Sequence, residues 1–195
     1  MTNIRTSWLY YFGRCLSYSL GKIFCGLTIK GHENLPVRGG MLIAPNHTSF
    51  IDPPLVGASM RRPLHFMAKQ ELFDTPVLGF LIKRTNAFPV KRGLRDVGAF
   101  RNAQRLLEAG EAVLIFPEGT RSKDGNFKDP MPGVGMLACM AQVPIVPVRV
   151  RNSDKPSRKN PIEIAFGKPI YPPKDFGRDT YQEIAVNTME SIKNL

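Results

Sequence analysis

The sequence is poor in the residues from which disulfide and metal sites are built. Its 195 residues include three cysteines and three histidines. The cysteines, Cys15, Cys25 and Cys139, are widely spaced and form no C-x-x-C pair, and the histidines lack metal-ligand spacings such as H-E-x-x-H. These absences argue against a disulfide framework and a metal centre, and they favour a reducing, cytoplasmic setting. We therefore predict no metal site.

The chain also lacks a long uncharged apolar run. Residues 8–29 are rich in aromatic and aliphatic side chains, but Arg14 and Lys22 interrupt them. The uncharged stretches are therefore shorter than the ~20 residues that a membrane-spanning helix needs. No A-x-A-like cleavage site follows, which argues against a secretory signal peptide.

An amphipathic pattern in the same segment predicts a helix that lies on a membrane surface. At about 100° per residue, one helical stripe collects the side chains of Leu9, Leu16, Leu20, Phe24 and Leu27. The aromatic rings suited to headgroup depth are those of Trp8, Tyr10, Tyr11 and Tyr18. We predict that residues 1–30 form a membrane-associating helical segment and that residues 31–195 form the catalytic domain. An ordinary helix packed on that domain is the alternative.

The charge balance indicates an anionic partner. Lys and Arg together number 27 against 16 Asp and Glu, which gives a net charge of +11. Hydrophobic residues make up 43% and charged residues 22%, which is typical of a globular domain and argues against disorder. The excess suits nucleic acid, lipid headgroups or an acidic carrier protein, and charge alone leaves all three open.

Apolar runs alternate along the chain with segments of helical spacing. The predicted strands cover 41–44, 112–116, 144–150 and 162–166. The predicted helices begin at Asp52 as N-cap, at Thr75 and at Asp96, and two more cover 132–142 and 179–194. This order predicts a single-domain αβ sandwich of the α/β class with a mostly parallel or mixed sheet. Reactive loops in such sheets follow the carboxyl ends of strands, which directs attention to the residues after 44, 87 and 116.

The segment NHTSFID (46–52) directly follows the first predicted strand. His47 lies in the loop and Asp52 begins the next helix, so the carboxylate can turn back onto the imidazole and fix its tautomer. The other ring nitrogen is then free to take a proton near neutral pH, as a general base must. A loop histidine beside a helix-capping aspartate, with no catalytic role, is the alternative.

The segment FPEGTRS (116–122) also follows a predicted strand. Gly119 permits an unusual backbone, Thr120 adds a hydroxyl, and Arg121 presents a planar fork suited to a phosphate or a carboxylate. Glu118 either accepts hydrogen bonds from substrate hydroxyls or pairs with Arg121. A solvated surface turn is the alternative interpretation of the whole segment.

A basic stretch lies between these two segments. Seven Lys and Arg residues but a single acid, Asp96, occur between positions 83 and 105. Lys91 and Arg92 follow directly on the apolar run FPV, and they are the best candidates for an anion site.

Four blocks of the chain together resemble the lysophosphatidic acid acyltransferase (acylglycerol-phosphate acyltransferase) family of glycerolipid acyltransferases. NHTSFID matches the NHxxxxD signature of that family, and FPEGTRS matches its third block. FPVKR (88–92) is similar to the second block, and VPIVPV (143–148) is similar to the fourth. All four occur in the expected order and cover roughly residues 40–150.

The resemblance implies roles for residues of the first three blocks. His47 would be the general base on the acceptor hydroxyl, and Asp52 its orienting partner. From the second block, Arg92, with Lys91 assisting, would bind the acceptor phosphate. The third block would bind the glycerol and phosphate part of the acceptor through the substrate-binding residues Glu118, Gly119, Thr120 and Arg121. No acyl-enzyme is implied, so no cysteine has to act as a nucleophile.

The implied reaction moves a fatty acyl group from acyl-CoA or acyl carrier protein to the free hydroxyl of lysophosphatidic acid, which gives phosphatidic acid. The thioester is a substrate, so no cofactor is expected. Another acceptor, such as a lyso-aminolipid or other lysophospholipid, is an alternative, and a non-catalytic basic membrane-binding module is a second. The basic residues lack interleaved aromatic platforms, so nucleic acid is not an expected partner. We expect a peripheral position on the cytoplasmic face of an anionic cell membrane.

Overall fold

A computed structural model of the chain describes residues 6–91, 96–122 and 126–195. Within these ranges the strands are β1 (Thr28–Lys30), β2 (Met41–Pro45), β3 (Leu64–Lys69), β4 (Ala87–Val90), β5 (Ala112–Leu114), β6 (Ile145–Arg151) and β7 (Glu163–Phe166). The helices are α1 (Trp8–Cys25), α2 (Asp52–Ala58), α3 (Gln70–Phe73), α4 (Pro76–Lys83), α5 (Val97–Glu108), α6 (Gly133–Ala141) and α7 (Arg178–Asn194). A short 3-10 turn covers His32–Asn34.

The described strands form one seven-stranded sheet in the order β1-β7-β6-β2-β5-β3-β4. Neighbouring strands are parallel, except that β6 and β7 run antiparallel. The prediction of a single-domain α/β fold with a mostly parallel sheet is therefore confirmed.

Helices cover both faces of this sheet. One core packs α2 against the sheet through Leu55 and Val56, and α1 packs on α2. The other core packs α5, α6 and α7 against the opposite face through residues such as Leu107, Leu137 and Ile184. A sheet buried on both faces needs strands that are apolar throughout, and all five residues of β2 are buried.

Three strands were missing from the sequence prediction. β1 has only three residues, and β3 (LHFMAK) lacks a clean alternation of buried and exposed positions. β4 contains Pro89, which is tolerated because β4 lies at the edge of the sheet. The second reactive loop therefore begins after Val90 and not after residue 87.

Two details of the predicted elements were wrong. β5 ends at Leu114 and not at 116, because the chain turns there and the Gly119 amide donates to the Phe116 carbonyl at 3.0 Å. Asp52 does not cap α2. Ile51 is the N-cap residue, and the Asp52 carboxylate accepts from amides that precede the helix. Asp96, where a helix was predicted to begin, is the N-cap residue of α5, with its side chain accepting from the Ala99 amide.

Helix α1 is attached to the domain yet keeps much of its apolar surface exposed. The Tyr10 hydroxyl accepts a hydrogen bond from the buried Leu64 amide at 2.8 Å, so the prediction of headgroup depth for Tyr10 was wrong. The predicted stripe stays exposed at Leu16, Leu20 and Phe24, whereas Leu27 lies beyond the helix and is buried. Among the described residues, no helix is long and apolar enough to cross a membrane.

We predict that Tyr10→Phe lowers the free energy of unfolding by about 1–3 kcal/mol, because the buried Leu64 amide loses its acceptor. Urea unfolding measures the change. Tyr11→Phe is the matched control, since its neighbouring ring is 46% exposed, and the change there should stay within about 0.5 kcal/mol. Equal effects of the two substitutions would contradict the attachment of α1 through Tyr10.

Candidate active site

The predicted catalytic loop lies where the connections from two neighbouring strands diverge. β2 and β5 are adjacent and parallel. The chain leaves β2 for α2 on one face of the sheet, and it leaves β5 for α6 on the other. Such a point opens a crevice at the carboxyl ends of the strands, which is where open α/β sheets bind ligands. His47 follows β2 and Glu118 follows β5, so both predicted segments border this crevice.

The side chains of His47 and Asp52 are in direct contact. Nδ1 of His47 lies 2.8 Å from Oδ2 of Asp52, and the backbone amides of Thr48 and Ser49 donate to the same oxygen, each at 2.8 Å. Asp52 is fully buried, at 0% exposure, and a buried carboxylate needs such donors to stay ionised at acceptable free energy. Its second oxygen, Oδ1, has no hydrogen-bond partner in the described part of the chain.

This contact settles which nitrogen of the imidazole is available for chemistry. A carboxylate oxygen accepts, so the hydrogen on the ring resides on Nδ1. Nε2 is then the free nitrogen that can take a proton from a bound hydroxyl. The geometry expected of a general base with an orienting carboxylate is therefore present at His47 and Asp52.

The FPEGTRS segment holds His47 from the opposite side. The imidazole stacks on the ring of Phe116, with centroids 3.7 Å apart and planes 15° from parallel. The His47 amide donates to Oε1 of Glu118 at 3.0 Å, and the His47 carbonyl accepts from the Ser122 amide at 2.8 Å. Ring and backbone of His47 are thus both fixed by residues 116–122. These contacts could not be predicted from local sequence patterns, because more than sixty residues separate the partners.

Glu118 joins three loop segments through its carboxylate. It is 5% exposed, and while Oε1 accepts from the His47 amide, Oε2 accepts from the Lys128 amide at 3.1 Å. Neither oxygen contacts Arg121, so of the two roles considered for Glu118, the pair with Arg121 is absent. Substrate binding by Glu118 stays a prediction.

The rest of the third block forms a tight loop beside the imidazole. Gly119 has a φ of +67°, in the left-handed region that favours glycine, and an added Cβ would lie 2.5 Å from the sulfur of Met131, which would have to move. The Lys128 ammonium closes the loop by donating to the Thr120 hydroxyl and to the Arg121 carbonyl, each at 2.9 Å. Lys128 is therefore a structural member of the site, which the sequence did not indicate.

Arg121 lies over an exposed aromatic ring next to the catalytic loop. Its guanidinium carbon is 3.4 Å from the centroid of Phe50, a side chain that is 72% exposed. Within residues 6–91, 96–122 and 126–195, Arg121 makes no ion pair. Its charge is therefore available to an anionic ligand at the mouth of the crevice.

The second block lies farther from His47. Lys91 is exposed and follows β4, at the carboxyl ends of the parallel strands where His47 also lies. Three inter-strand spacings of about 4.8 Å place β4 roughly 14 Å from β2. The Lys91 amide donates to the Asp96 carboxylate at 2.9 Å. Arg92 lies outside the described residues, so its predicted phosphate contact has no structural description.

A polar cavity of about 220 Å³ lies behind the catalytic loop, and Asn46, Thr48, Glu118, Phe127 and Arg149 are among its lining residues. Asn46 joins β2 to β6 because its amide group exchanges two hydrogen bonds with the backbone of Val150. Burial lowers the pKa of the Arg149 guanidinium, which lies 4.3 Å above the Phe127 ring.

No group of three or more His, Cys, Asp or Glu side chains in the described ranges could hold a metal ion.

We predict that Glu118→Gln lowers the free energy of unfolding by about 1–3 kcal/mol, because one backbone amide must then face an NH₂ group and loses its acceptor. Urea unfolding against Glu190→Gln, an exposed position in α7, isolates the effect of burial. An unchanged unfolding free energy in Glu118→Gln would mean that the carboxylate does not bind these amides.

The chain is similar in sequence to known acyltransferases. The sequence model of the acyltransferase family matches residues 26–151, more than half of the chain. A 1-acyl-sn-glycerol-3-phosphate acyltransferase of Bacillus subtilis is 32% identical over 151 residues, which cover 75% of this chain and 74% of that protein. The chloroplast 1-acyl-sn-glycerol-3-phosphate acyltransferase BAT2 of Brassica napus is 31% identical over 73% of this chain, but the match spans only 44% of the longer plant protein.

A solved structure shows the same fold. The crystal structure of the 1-acyl-sn-glycerophosphate (LPA) acyltransferase PlsC from Thermotoga maritima superimposes with a TM-score of 0.75 at 25% sequence identity, over 95% of this chain and 76% of that one. The matching family model, the relatives and the solved structure are all those of acyltransferases. The alternative of a non-catalytic basic module is therefore wrong. The chain belongs to the acyltransferase family and, within it, to the lysophosphatidic acid acyltransferases that its four blocks resemble, so it is an O-acyltransferase.

Proposed function

We propose that this enzyme transfers a fatty acyl group from an acyl thioester to the free hydroxyl of lysophosphatidic acid, giving phosphatidic acid for phospholipid synthesis. The observation that carries the proposal is the contact between His47 Nδ1 and the buried Asp52 carboxylate, which leaves Nε2 for the acceptor hydroxyl. The names of the relatives in Bacillus subtilis and Thermotoga maritima support the acceptor. The acyl donor is acyl-CoA or acyl carrier protein, and both fit a site that needs only a thioester carbonyl.

The reaction balances with His47 as a proton shuttle. Nε2 takes the proton from the acceptor hydroxyl while the oxygen attacks the thioester carbonyl carbon. The tetrahedral intermediate then collapses, the carbon–sulfur bond breaks, and the imidazolium returns its proton to the leaving thiolate. Asp52 stabilises the imidazolium between these steps by its charge. No covalent acyl-enzyme forms.

The acceptor phosphate binds, in this proposal, at the basic groups around the crevice. Arg121 precedes Ser122, whose amide donates to the His47 carbonyl, and the Arg121 guanidinium lies over Phe50 of the catalytic loop. Gly119 and Thr120 complete the loop, and Lys91 and Arg92 supply further positive charge from the second block. A lyso-aminolipid or another lysophospholipid is the alternative acceptor. Competition by glycerol phosphate separates lysophosphatidic acid from a lyso-aminolipid, because it inhibits only a site that recognises phosphate. Direct comparison of acyl transfer to lysophosphatidic acid and to other lysophospholipids separates the remaining acceptors.

Helix α1 brings the enzyme to its lipid substrate. Its exposed apolar side chains, among them Trp8 at 75% and Phe24 at 63%, together with a net charge of +11, suit a peripheral position on an anionic membrane. We place that position on the cytoplasmic face, where anionic lipids attract basic proteins.

We predict that His47→Ala lowers turnover of lysophosphatidic acid by about 10²–10⁴-fold while the protein stays folded, because the general base is lost. Product formation is measured as labelled phosphatidic acid, and circular dichroism confirms the fold. His32→Ala, a histidine in the 3-10 turn away from the crevice, should leave turnover near that of the wild type. Near-full activity in His47→Ala would rule out the mechanism.

We predict that Arg121→Ala raises the KM for lysophosphatidic acid by about tenfold or more, because a charge-assisted contact to phosphate is lost. Arg101→Ala removes the same charge from an exposed position of α5 and should leave KM unchanged, so it controls for net charge. If both variants shift KM equally, the effect is long-range electrostatics and Arg121 does not bind the acceptor.

A further inference from the structure

Helix α4 directs its apolar side chains away from the domain. Val77, Leu78, Phe80 and Leu81 are between 42% and 75% exposed, and they account for half of an eight-residue helix. At 100° per residue these four positions span an arc of about 160°, and Gly79 lies opposite the centre of that arc. Gly79 is the buried residue of the helix, and an added Cβ would lie 2.3 Å from the Phe73 carbonyl oxygen. The backbone of α4 therefore presses on α3, which leaves the apolar arc facing outward.

The exposed apolar side chains of the helices are concentrated on one face of the sheet. The β3–α3–α4–β4 connection joins adjacent parallel strands, and a right-handed crossover places α4 on the face that carries α2 and α1. On the opposite face, α5, α6 and α7 each expose a single large apolar side chain, namely Val97, Met140 and Val186. The side-chain Nδ2 of Asn86 donates to the Thr6 hydroxyl at 3.3 Å, so the chain after α4 lies next to the start of α1.

Cations lie over exposed aromatic rings across the same face. Arg84 is 4.2 Å from the Phe80 ring centroid, and Lys22 is 5.8 Å from that of Tyr18. Residues 76–84 contain no carboxylate. An apolar surface bordered by cations complements an anionic lipid surface, whereas a second copy of this chain would bring two charges of +11 together.

We propose that α4 is a second lipid-binding element, which enters an anionic membrane beside α1 and turns the mouth of the crevice at Phe50 toward the lipid. This inference rests on the proposed function, since an enzyme that acts on a lysolipid gains from two contacts that fix its orientation. With α1 alone, the protein could rotate about one helix. With α4 added, the face that bears α2 and Phe50 stays at the membrane surface.

Vesicle binding tests the contribution of α4. The double variant Val77→Asn/Leu81→Asn keeps the net charge and removes two exposed apolar side chains. Its partition onto vesicles of phosphatidylglycerol and phosphatidylcholine should fall by about tenfold or more, because each lost side chain forfeits apolar burial. The control Val97→Asn/Val186→Asn makes matched changes on the opposite face and should partition like the wild type. Equal partitioning of the α4 variant and the wild type would overturn the proposal.

The same variant separates this inference from the proposed function. Acyl transfer to a short-chain lysophosphatidic acid that is monomeric in solution needs no membrane, so the α4 variant should retain it. If the wild type itself fails to acylate that substrate, the proposed function fails, whereas the vesicle measurement still decides whether α4 binds lipid.

A relocated tryptophan tests the contact directly, because Trp8 is the single tryptophan of the chain. In Trp8→Phe/Phe80→Trp, emission should shift to shorter wavelength and be quenched by brominated lipids when vesicles are added. The control is Trp8→Phe/Phe176→Trp, because the Phe176 ring lies beside Tyr181 of α7. Its emission should not change when vesicles are added.

If the emission of Phe80→Trp stays unchanged while the protein is bound to vesicles, the proposal is overturned. The proposal is also overturned if the emission shifts in the absence of vesicles, either with rising protein concentration or on addition of acyl carrier protein. Another protein would then cover α4.

Discussion

The active-site loop depends on one buried carboxylate. Asp52 is fully buried, and its Oδ2 accepts from the His47 ring and from the amides of Thr48 and Ser49. A charge in that position needs its donors, so the same three hydrogen bonds that stabilise Asp52 also shape the loop and orient the imidazole. Glu118, a second buried carboxylate, accepts a hydrogen bond from the His47 amide on the opposite side. Two acidic side chains thereby fix one histidine.

The topology of the sheet makes this arrangement possible. Because β2 and β5 are adjacent and their connections go to opposite faces, the two loops open a crevice and meet across it. Phe116, two residues after β5, stacks on the imidazole, and Arg121 lies over Phe50 at the rim. The apolar face that carries α1, α2 and α4 adjoins the same rim. The active-site crevice and the membrane-binding helices would then lie on one side of the molecule, which suits a substrate that resides in lipid.

Local features were predictable from the sequence, and long-range ones were not. The five-residue spacing of His47 and Asp52 predicted their contact, and the alternation of apolar runs predicted the α/β sheet. The role of Asp52 as helix cap was wrong because amides upstream of α2 take its carboxylate. The contacts of Glu118 could not be predicted, since a single acid after a strand is equally consistent with binding a ligand or binding distant backbone. Tyr10 was misplaced for a similar reason, because its partner Leu64 is far away in sequence.

The central claim is that the Asp52 charge enables His47 to act as a general base. The most direct test is the rate of phosphatidic acid formation from lysophosphatidic acid and an acyl thioester by wild type and Asp52→Asn. Asparagine keeps an acceptor for the loop but loses the charge that stabilises the imidazolium. We expect a folded variant whose turnover is lower by about 10²–10⁴-fold. Turnover close to that of the wild type would contradict the account.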